Sequence, residues 1–269
     1  MSVLDPLTHA LAALVAATHA TLTHLGAAPD GALAWCLALL AVVAAVRLLL
    51  LPLVVHGVRQ AHASARARSD LAELARRYRG RRDAASLRAY ADERRRVGAE
   101  HGVSRWGCLP VLVQLPVWVA LLHLVSDTAA GASVGALDAG LVASLGAATI
   151  AGVPLADRGL AGGAPGHVAV VALLAGTAAV LSYVTQRFLV LPNLVLDGAP
   201  EAVVSAQRLM PALSALGLVA AAGVVPVALL VYWVGNATWT LGQSAVVARW
   251  FPTPGSPAAV RREARRSPA

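Results

Sequence analysis

The chain has 269 residues, 58% of them hydrophobic and only 13% charged, with a mean hydropathy of +0.67. A soluble domain of this length carries about 25% charged residues, so the composition excludes disorder, argues against an ordinary soluble enzyme and points to a membrane protein. The net charge of +8 comes from 22 basic residues, all Arg, against 14 acidic ones, and the two cysteines, Cys36 and Cys108, form no CxxC, zinc or disulfide pattern.

Residues 1–31 come first. Leu4, Leu7, Leu11, Leu14, Thr18, Leu22 and Leu25 recur at steps of three and four, while Thr8, His9, His19, Thr21 and His24 lie largely off that stripe. The pattern predicts an amphipathic helix lying on the outer membrane surface, with a sixth span as the competing reading. Residues 1–30 hold no Lys or Arg, so the positive region of a cleavable signal peptide is missing.

A span needs about 20 mostly apolar residues to cross the ~30 Å hydrocarbon core. Residues 32–55 qualify as a first span, with Arg47 inside it. Residues 56–105 hold 13 Arg and 6 acidic residues, a net of +7, which leaves a net of +1 for the rest of the chain. Two helical stretches, Arg59–Arg79 and Asp83–Glu100, flank Gly80 and predict a basic cytoplasmic hairpin. Its seam would hold Leu71, Leu74 and Tyr78 on one helix and Leu87, Tyr90 and Val97 on the other; a solvated charged loop is the alternative.

Residues 106–127 form the second predicted span and 128–166 a Gly/Ala-rich outer loop, with a short interfacial segment near 138–150. The third span is 167–190, followed by a cytoplasmic loop over 191–207. The apolar stretch that follows is too long for one span and divides at Val225-Pro226 into spans 208–225 and 226–249. Residues 250–269 form a basic cytoplasmic tail. The predicted class is an all-α polytopic membrane protein with five spans. Segments 1–31 and 127–166 together hold five Asp and one Arg, so the positive-inside rule places the N-terminus outside and the C-terminus in the cytoplasm. The same rule explains the basic segment better than DNA binding does.

The chemistry lies in a few polar residues within the spans. Arg47 stands nine residues before His56, about 13 Å along a continuous helix at 1.5 Å per residue. An Arg at a span centre costs about 2.5–3.5 kcal/mol, so it should face a wet or polar interior. No acidic residue falls inside any predicted span, and an uncompensated positive charge there would attract an acidic visitor. The structural alternative is an Arg paired to a backbone carbonyl or a neighbouring helix. Gln114 lies between Pro110 and Pro116, and Asn236 and Gln243 follow Tyr232 and Trp233. Each alone reads as an interhelical hydrogen bond. Together with Arg47 they predict a hydrophilic groove, which Pro52, Pro110, Pro116, Pro211 and Pro226 would help to open by bending or starting helices.

Other chemistries fail. Gly131-Ala132-Ser133-Val134-Gly135 matches the GxSxG nucleophile pattern but has no preceding strand. His9, His19 and His24 do not share a helix face, so no metal site is expected. No P-loop is present, so no ATP motor is expected. The expectation is therefore a protein with no catalytic residue, no metal and no cofactor, and not an enzyme.

Gly107-Cys108-Leu109-Pro110 through Gln114-Leu115-Pro116 resembles the GCLP…QxP signature of the YidC/Oxa family of membrane protein insertases. Arg47 with Leu51-Pro52 resembles that family's RxxxxP helix. Ser182–Arg187 resembles the inner end of its third core span, and Gln207–Pro211 the QxxMxxxP start of its fourth, with the proline displaced. Pro226–Trp233 through Asn236 and Gln243 resembles its PxGLxLYW…N…Q fifth span. The five matches run in order over residues 32–249. The departures are Ser104-Arg105-Trp106 where Asn-Pro is common, Trp118 and His123 in place of Phe or Tyr, and the divergent outer loop. The small size, the Arg-rich composition and the absence of a lipoprotein Cys and of a large periplasmic domain resemble actinobacterial members.

The resemblance implies an insertase that folds integral membrane proteins, alone or beside the Sec translocon, through a five-helix core around a hydrophilic groove. Arg47, Gln114, Trp233, Asn236 and Gln243 would line the groove. Arg76, Arg77, Arg81, Arg82, Arg94, Arg95 and Arg96 of the hairpin would receive substrate or touch the ribosome, and the basic tail would touch the ribosome too. The implied partners are nascent membrane proteins and the lipid bilayer, with the chain working as a monomer in the bacterial cell membrane and without ATP of its own. A small-molecule transporter or channel is the alternative, although the spans show no internal repeat and only Arg47 is a buried ionisable group. A purely structural scaffold would not need Arg47 at all.

Overall fold

The computed structural model describes residues 4–81, 83–104, 109–159, 164–197 and 199–265. In chain order the helices are α1 (Asp5–His24), α2 (Ala32–Leu49), α3 (Leu51–Arg66), α4 (Arg68–Arg77), α5 (Ala84–Glu100), α6 (Leu109–Ala129) and α7 (Ala139–Ala147). A two-stranded antiparallel hairpin, β1 (Thr149–Ile150) and β2 (Val153–Pro154), comes next. Then follow α8 (Pro165–Val184), α9 (Glu201–Ala222), α10 (Val227–Trp250) and α11 (Pro257–Ala264). A π-helical turn, Thr185–Val190, and a 3-10 turn, Leu191–Asn193, extend α8.

The protein is an all-α polytopic membrane protein. Ala32–Leu49, Leu112–Ala129, Pro165–Asn193 and Glu201–Ala222 are long and apolar enough to cross a bilayer. The fifth expected span corresponds to α10. At 24 residues it has the length, but Asn236, Thr238, Thr240, Gln243 and Ser244 keep it out of that apolar set.

One compact unit comprises Met1–Leu49, Val113–Gln186 and Leu209–Gln243. Its core holds Trp35 and Val42 of α2, Leu124 of α6 and Val227, Leu229 and Leu230 of α10, all fully buried. α1 packs on α2 through Leu11, Ala12 and Val15. His19 departs from the expected stripe, because it is 2% exposed. Its ring lies 4.3 Å from that of Trp35, and its Nε2 donates to the Pro29 carbonyl at 2.9 Å. Trp35 Nε1 donates to Ser144 Oγ on α7 (3.0 Å), and Ser144 donates to the same Pro29 carbonyl (2.9 Å). The imidazole is buried because its polar atom is satisfied.

Residues 128–166, expected as a loop with one short segment, contain α7 and the β hairpin. Asp138 caps α7 by accepting from Leu141 N (2.9 Å). The chain after β2 then reaches the start of α10. Val227 N donates to the Asp157 carbonyl and Ala228 N to the Leu155 carbonyl, both at 2.9 Å. These bonds satisfy amides that a helix N-terminus otherwise leaves unpaired. Gly159 N donates to the Val225 carbonyl (2.9 Å), and a Cβ at Gly159, whose φ is +47°, would overlap the Gly223 carbonyl. Only glycine allows this approach.

The other compact unit comprises Leu50–Leu112, Arg187–Arg208 and Ser244–Ala269. Here α3 and α4 meet at Ala67, whose backbone hardly interrupts the helix, since Leu71 N still donates to the Ala67 carbonyl. α4 and α5 pack as a pair. The Tyr78 and Tyr90 rings lie 5.6 Å apart, Tyr78 OH donates to Glu93 Oε2 (3.2 Å), and His101 Nε2 lies 3.4 Å from Asp70 Oδ2. Leu74 is buried in this seam. Leu87, expected in it, is 54% exposed. It lies one turn nearer the connecting loop than Tyr90, and α4 has already ended at Arg77. Gln60 holds the end of the segment, donating to the Ser104 carbonyl (3.1 Å) and accepting from Ser104 N (2.9 Å).

Two boundaries differ from the sequence expectation. α2 stops at Leu49 instead of continuing to 55, because Pro52 has no N–H and its ring clashes with the carbonyl four residues back. α9 begins at Glu201, inside the expected 191–207 loop, and carries Pro211 within the helix.

Candidate functional site

Arg47 lies in the last turn of α2, where the helix dipole favours a cation. This differs from the mid-helix position that a continuous 32–55 helix implies. Its guanidinium is half-buried and turned to α10. Asn236 Oδ1 accepts from Arg47 Nη2 at 2.7 Å and from Nε at 3.3 Å, and Thr240 Oγ1 accepts from Nη2 at 3.0 Å. Asn236 and Thr240 are four residues apart, so one helix face presents both acceptors. Thr240 Oγ1 in turn donates to the Asn236 carbonyl (2.7 Å), which fixes its lone pairs toward the guanidinium.

All of these acceptors are neutral. Among the described residues no carboxylate forms an ion pair with Arg47. The arrangement holds the guanidinium in place without cancelling its charge. The structural alternative, a bond to a neighbouring helix, and the uncompensated charge are therefore both realised in one side chain.

Gly235 of α10 faces α2 across this crossing, where a Cβ would displace the Leu40 Cδ2 methyl. An apolar cavity of about 400 Å³ opens beside this crossing, bounded by Leu40, Val43, Leu174, Val231, Val234 and Trp239. α10 thus presents a polar face to Arg47 next to an apolar hollow.

The other expected site residues are distributed. Gln243 accepts from Trp239 Nε1 (3.2 Å), one turn beyond Thr240. Trp233 is 9% exposed and belongs to the apolar core. Gln114 is half-buried on α6 and is not among the partners of Arg47. Thr240 and Gly235 were not singled out from the sequence. The spacing of Thr240 from Asn236 is the signal that marks it.

Hairpin arginines Arg76, Arg77, Arg81, Arg94, Arg95 and Arg96 are all exposed. Arg77 pairs with Glu73, Arg95 with Asp92, and Arg96 with Glu93 and Glu100. Arg81 lies 5.6 Å from the centre of the Tyr78 ring. The Arg77 guanidinium holds the Glu73 carboxyl below its ordinary range. Arg82 lies outside the described residues, as do Arg105, Trp106, Gly107 and Cys108, while Leu109 and Pro110 open α6. Among the described residues no group of His, Cys, Asp and Glu is arranged to hold a metal ion.

The family model described as 60Kd inner membrane protein matches residues 28–254. A Streptomyces avermitilis protein named membrane protein insertase YidC is 30% identical over 240 residues, covering 85% of this chain and 54% of its own length. A Bifidobacterium longum protein of the same name is 24% identical over 253 residues, covering 92% of this chain and 75% of its own. One from Corynebacterium efficiens is 28% identical over 263 residues, covering 84% and 63%. The chain spans about half the length of the Streptomyces relative.

Proposed function

We propose a function from one premise: the chain belongs to the YidC/Oxa family, that of the 60Kd inner membrane protein. The chain is a membrane protein insertase. It takes nascent membrane proteins from the cytoplasmic side, shelters their short polar segment beside Arg47 and releases their apolar helix into lipid. The observation that carries this reading is the half-buried guanidinium of Arg47, held by Asn236 and Thr240 with no carboxylate partner among the described residues.

Magnitudes support it. A carboxylate about 4 Å from a guanidinium gains about 4 kcal/mol at an effective dielectric of about 20. Placing an Asp at the centre of a span costs about 2.5–3.5 kcal/mol. One Arg therefore offsets the cost of one acidic residue, and not of several. Burial of the substrate's apolar helix, at roughly 25 cal/mol per Å², supplies the drive, so neither covalent chemistry nor ATP is needed.

In this reading the N-terminus is outside and the C-terminus cytoplasmic, with α1 on the outer surface. The hairpin of α4 and α5 receives substrate and, with the tail, meets the ribosome, and the Sec translocon is a further partner. The test is reconstitution in liposomes with a substrate that carries a single acidic residue in its short outer tail. Arg47→Ala is expected to lower its insertion about tenfold, a loss of about 1.4 kcal/mol. Undiminished insertion by a correctly folded variant would sink the electrostatic role. Solute flux without insertion would favour a transporter instead.

A further inference from the structure

The basic segment after α10, expected as a tail, is a seated element. Ser256 caps α11, accepting from Ala259 N (3.2 Å). Thr253 N donates to Asn193 Oδ1 (2.8 Å), and Arg262 Nη1 donates to the Trp250 carbonyl (2.8 Å). Pro252, Thr253 and Ser256 are buried. Docked in this way, α11 closes one side of a cleft of about 560 Å³, whose walls include Phe188, Arg249, Trp250, Arg261, Arg262 and Arg265.

Charge and place define the occupant. Among the described residues none of the four arginines has a carboxylate partner. Arg261 and Arg262 each donate one bond, to the Pro257 and Trp250 carbonyls. An Arg carries five N–H donors, so most of each fork is free for an oxyanion, which guanidinium binds bidentately. The cleft also has exposed aromatic walls, with Phe188 62% and Trp250 57% exposed. Phe188 belongs to the end of Pro165–Asn193, a 29-residue helical run with an apolar window long enough to cross a bilayer. At 1.5 Å per residue that is at most about 43 Å, the thickness of a bilayer including its headgroups. The cleft therefore opens at headgroup depth, where aromatic rings settle and basic pockets meet lipid phosphates. A nucleic acid would have to enter that layer to reach it.

We infer that this cleft binds the phosphate of one anionic phospholipid, with the acyl chains lying along Phe188 and Trp250. The site is distinct from Arg47 and does not depend on the insertase reading. The test is native mass spectrometry of the full-length protein released from bilayers of equal phosphatidylglycerol and phosphatidylcholine. Wild type is expected to retain one phosphatidylglycerol with about tenfold preference, the order expected of a few guanidinium contacts. Arg249→Gln/Arg261→Gln/Arg265→Gln spares the Arg262 and Thr253 bonds that seat α11, and its preference is expected to fall to near unity with an unchanged Tm in detergent. If the triple variant unfolds, Arg265→Gln alone carries the test, because its side chain makes no hydrogen bond among the described residues; a severalfold loss of preference is expected. An unchanged preference in the folded variant overturns the assignment. So does displacement of the lipid by millimolar inorganic phosphate, which marks a free-phosphate site, or by a short single-stranded RNA, which marks a nucleic-acid site.

Discussion

The two halves of α10 belong to one helix yet serve opposite ends. From Val227 to Trp233 every residue is buried, and the first amides are bonded to the Leu155 and Asp157 carbonyls. From Val234 to Gln243 none is buried, Asn236 and Thr240 hold Arg47, and a 400 Å³ cavity lies alongside. Backbone geometry is common to both halves. Side-chain chemistry alone makes the first an anchor and the second a loosely packed polar face. In the proposed function, tight packing and a site that receives a passing polypeptide are competing demands, and α10 would meet them by separating them along its length.

The contrast is broken most severely at Leu230, which is fully buried. Leu230→Ala is expected to cost about 2–5 kcal/mol of stability, read as a drop in Tm in detergent, while insertion per folded molecule stays unchanged. Lost insertion at unchanged Tm would show that the anchor half takes part in the site. Asn236→Ala should behave in the opposite way. Removing the main acceptor of Arg47 is expected to cost about 1–3 kcal/mol. It should also lower insertion of the single-acid substrate severalfold beyond what the folded fraction explains. A parallel fall of both quantities would reduce Asn236 to a structural role.

Thr240→Val removes one acceptor and leaves Asn236 in place, so about 1 kcal/mol or less is expected. Its effect on insertion should be smaller than that of Asn236→Ala, and equal effects would mean that the pair acts as one unit. The smallest change is expected away from α10. Asp83 caps α5, and the Ser86 backbone N–H holds its carboxyl below the ordinary range. Because the folded value is the lower one, the stability that Asp83 adds is present above its unfolded pKa of about 3.9. It is lost as pH falls through the folded value. Amide exchange near residue 86 in wild type and Asp83→Ala should differ above about pH 4 and converge below it. Both halves of α10 should be indifferent to this change, and coupled exchange in α10 would break their independence.

Legibility varied from element to element for physical reasons. The spans were readable because about 20 apolar residues in a row have few other uses. Arg47 was readable because a charge there is costly wherever the chain folds. The end of α2 was not, because an apolar run such as Leu48–Leu51 reads the same whether the helix continues or stops; Pro52, a residue expected to bend or start a helix, stands in the first turn of α3. Periodicity sets His19 off the apolar stripe, since a sequence cannot show that the Pro29 carbonyl and the Trp35 ring will meet it. Periodicity sets Leu87 in the seam because it marks a face without showing where the partner helix ends. Trp233 is expected in the groove from the family resemblance and Gln243 from its polarity within a span, yet one is in the core and the other pairs with Trp239.

The sequence by itself determined the solvent this chain lives in, the order of its apolar helices, the basic hairpin and the family, because composition and ordered motifs are properties of the chain alone. Tertiary structure decided what Arg47 is bonded to, that Thr240 joins Asn236, that Gly159 permits close approach to Gly223, and that α11 docks beside Asn193. Those are contacts between residues up to 193 positions apart, as between Arg47 and Thr240. Their energy depends on distances of a few ångströms, which no one-dimensional pattern encodes.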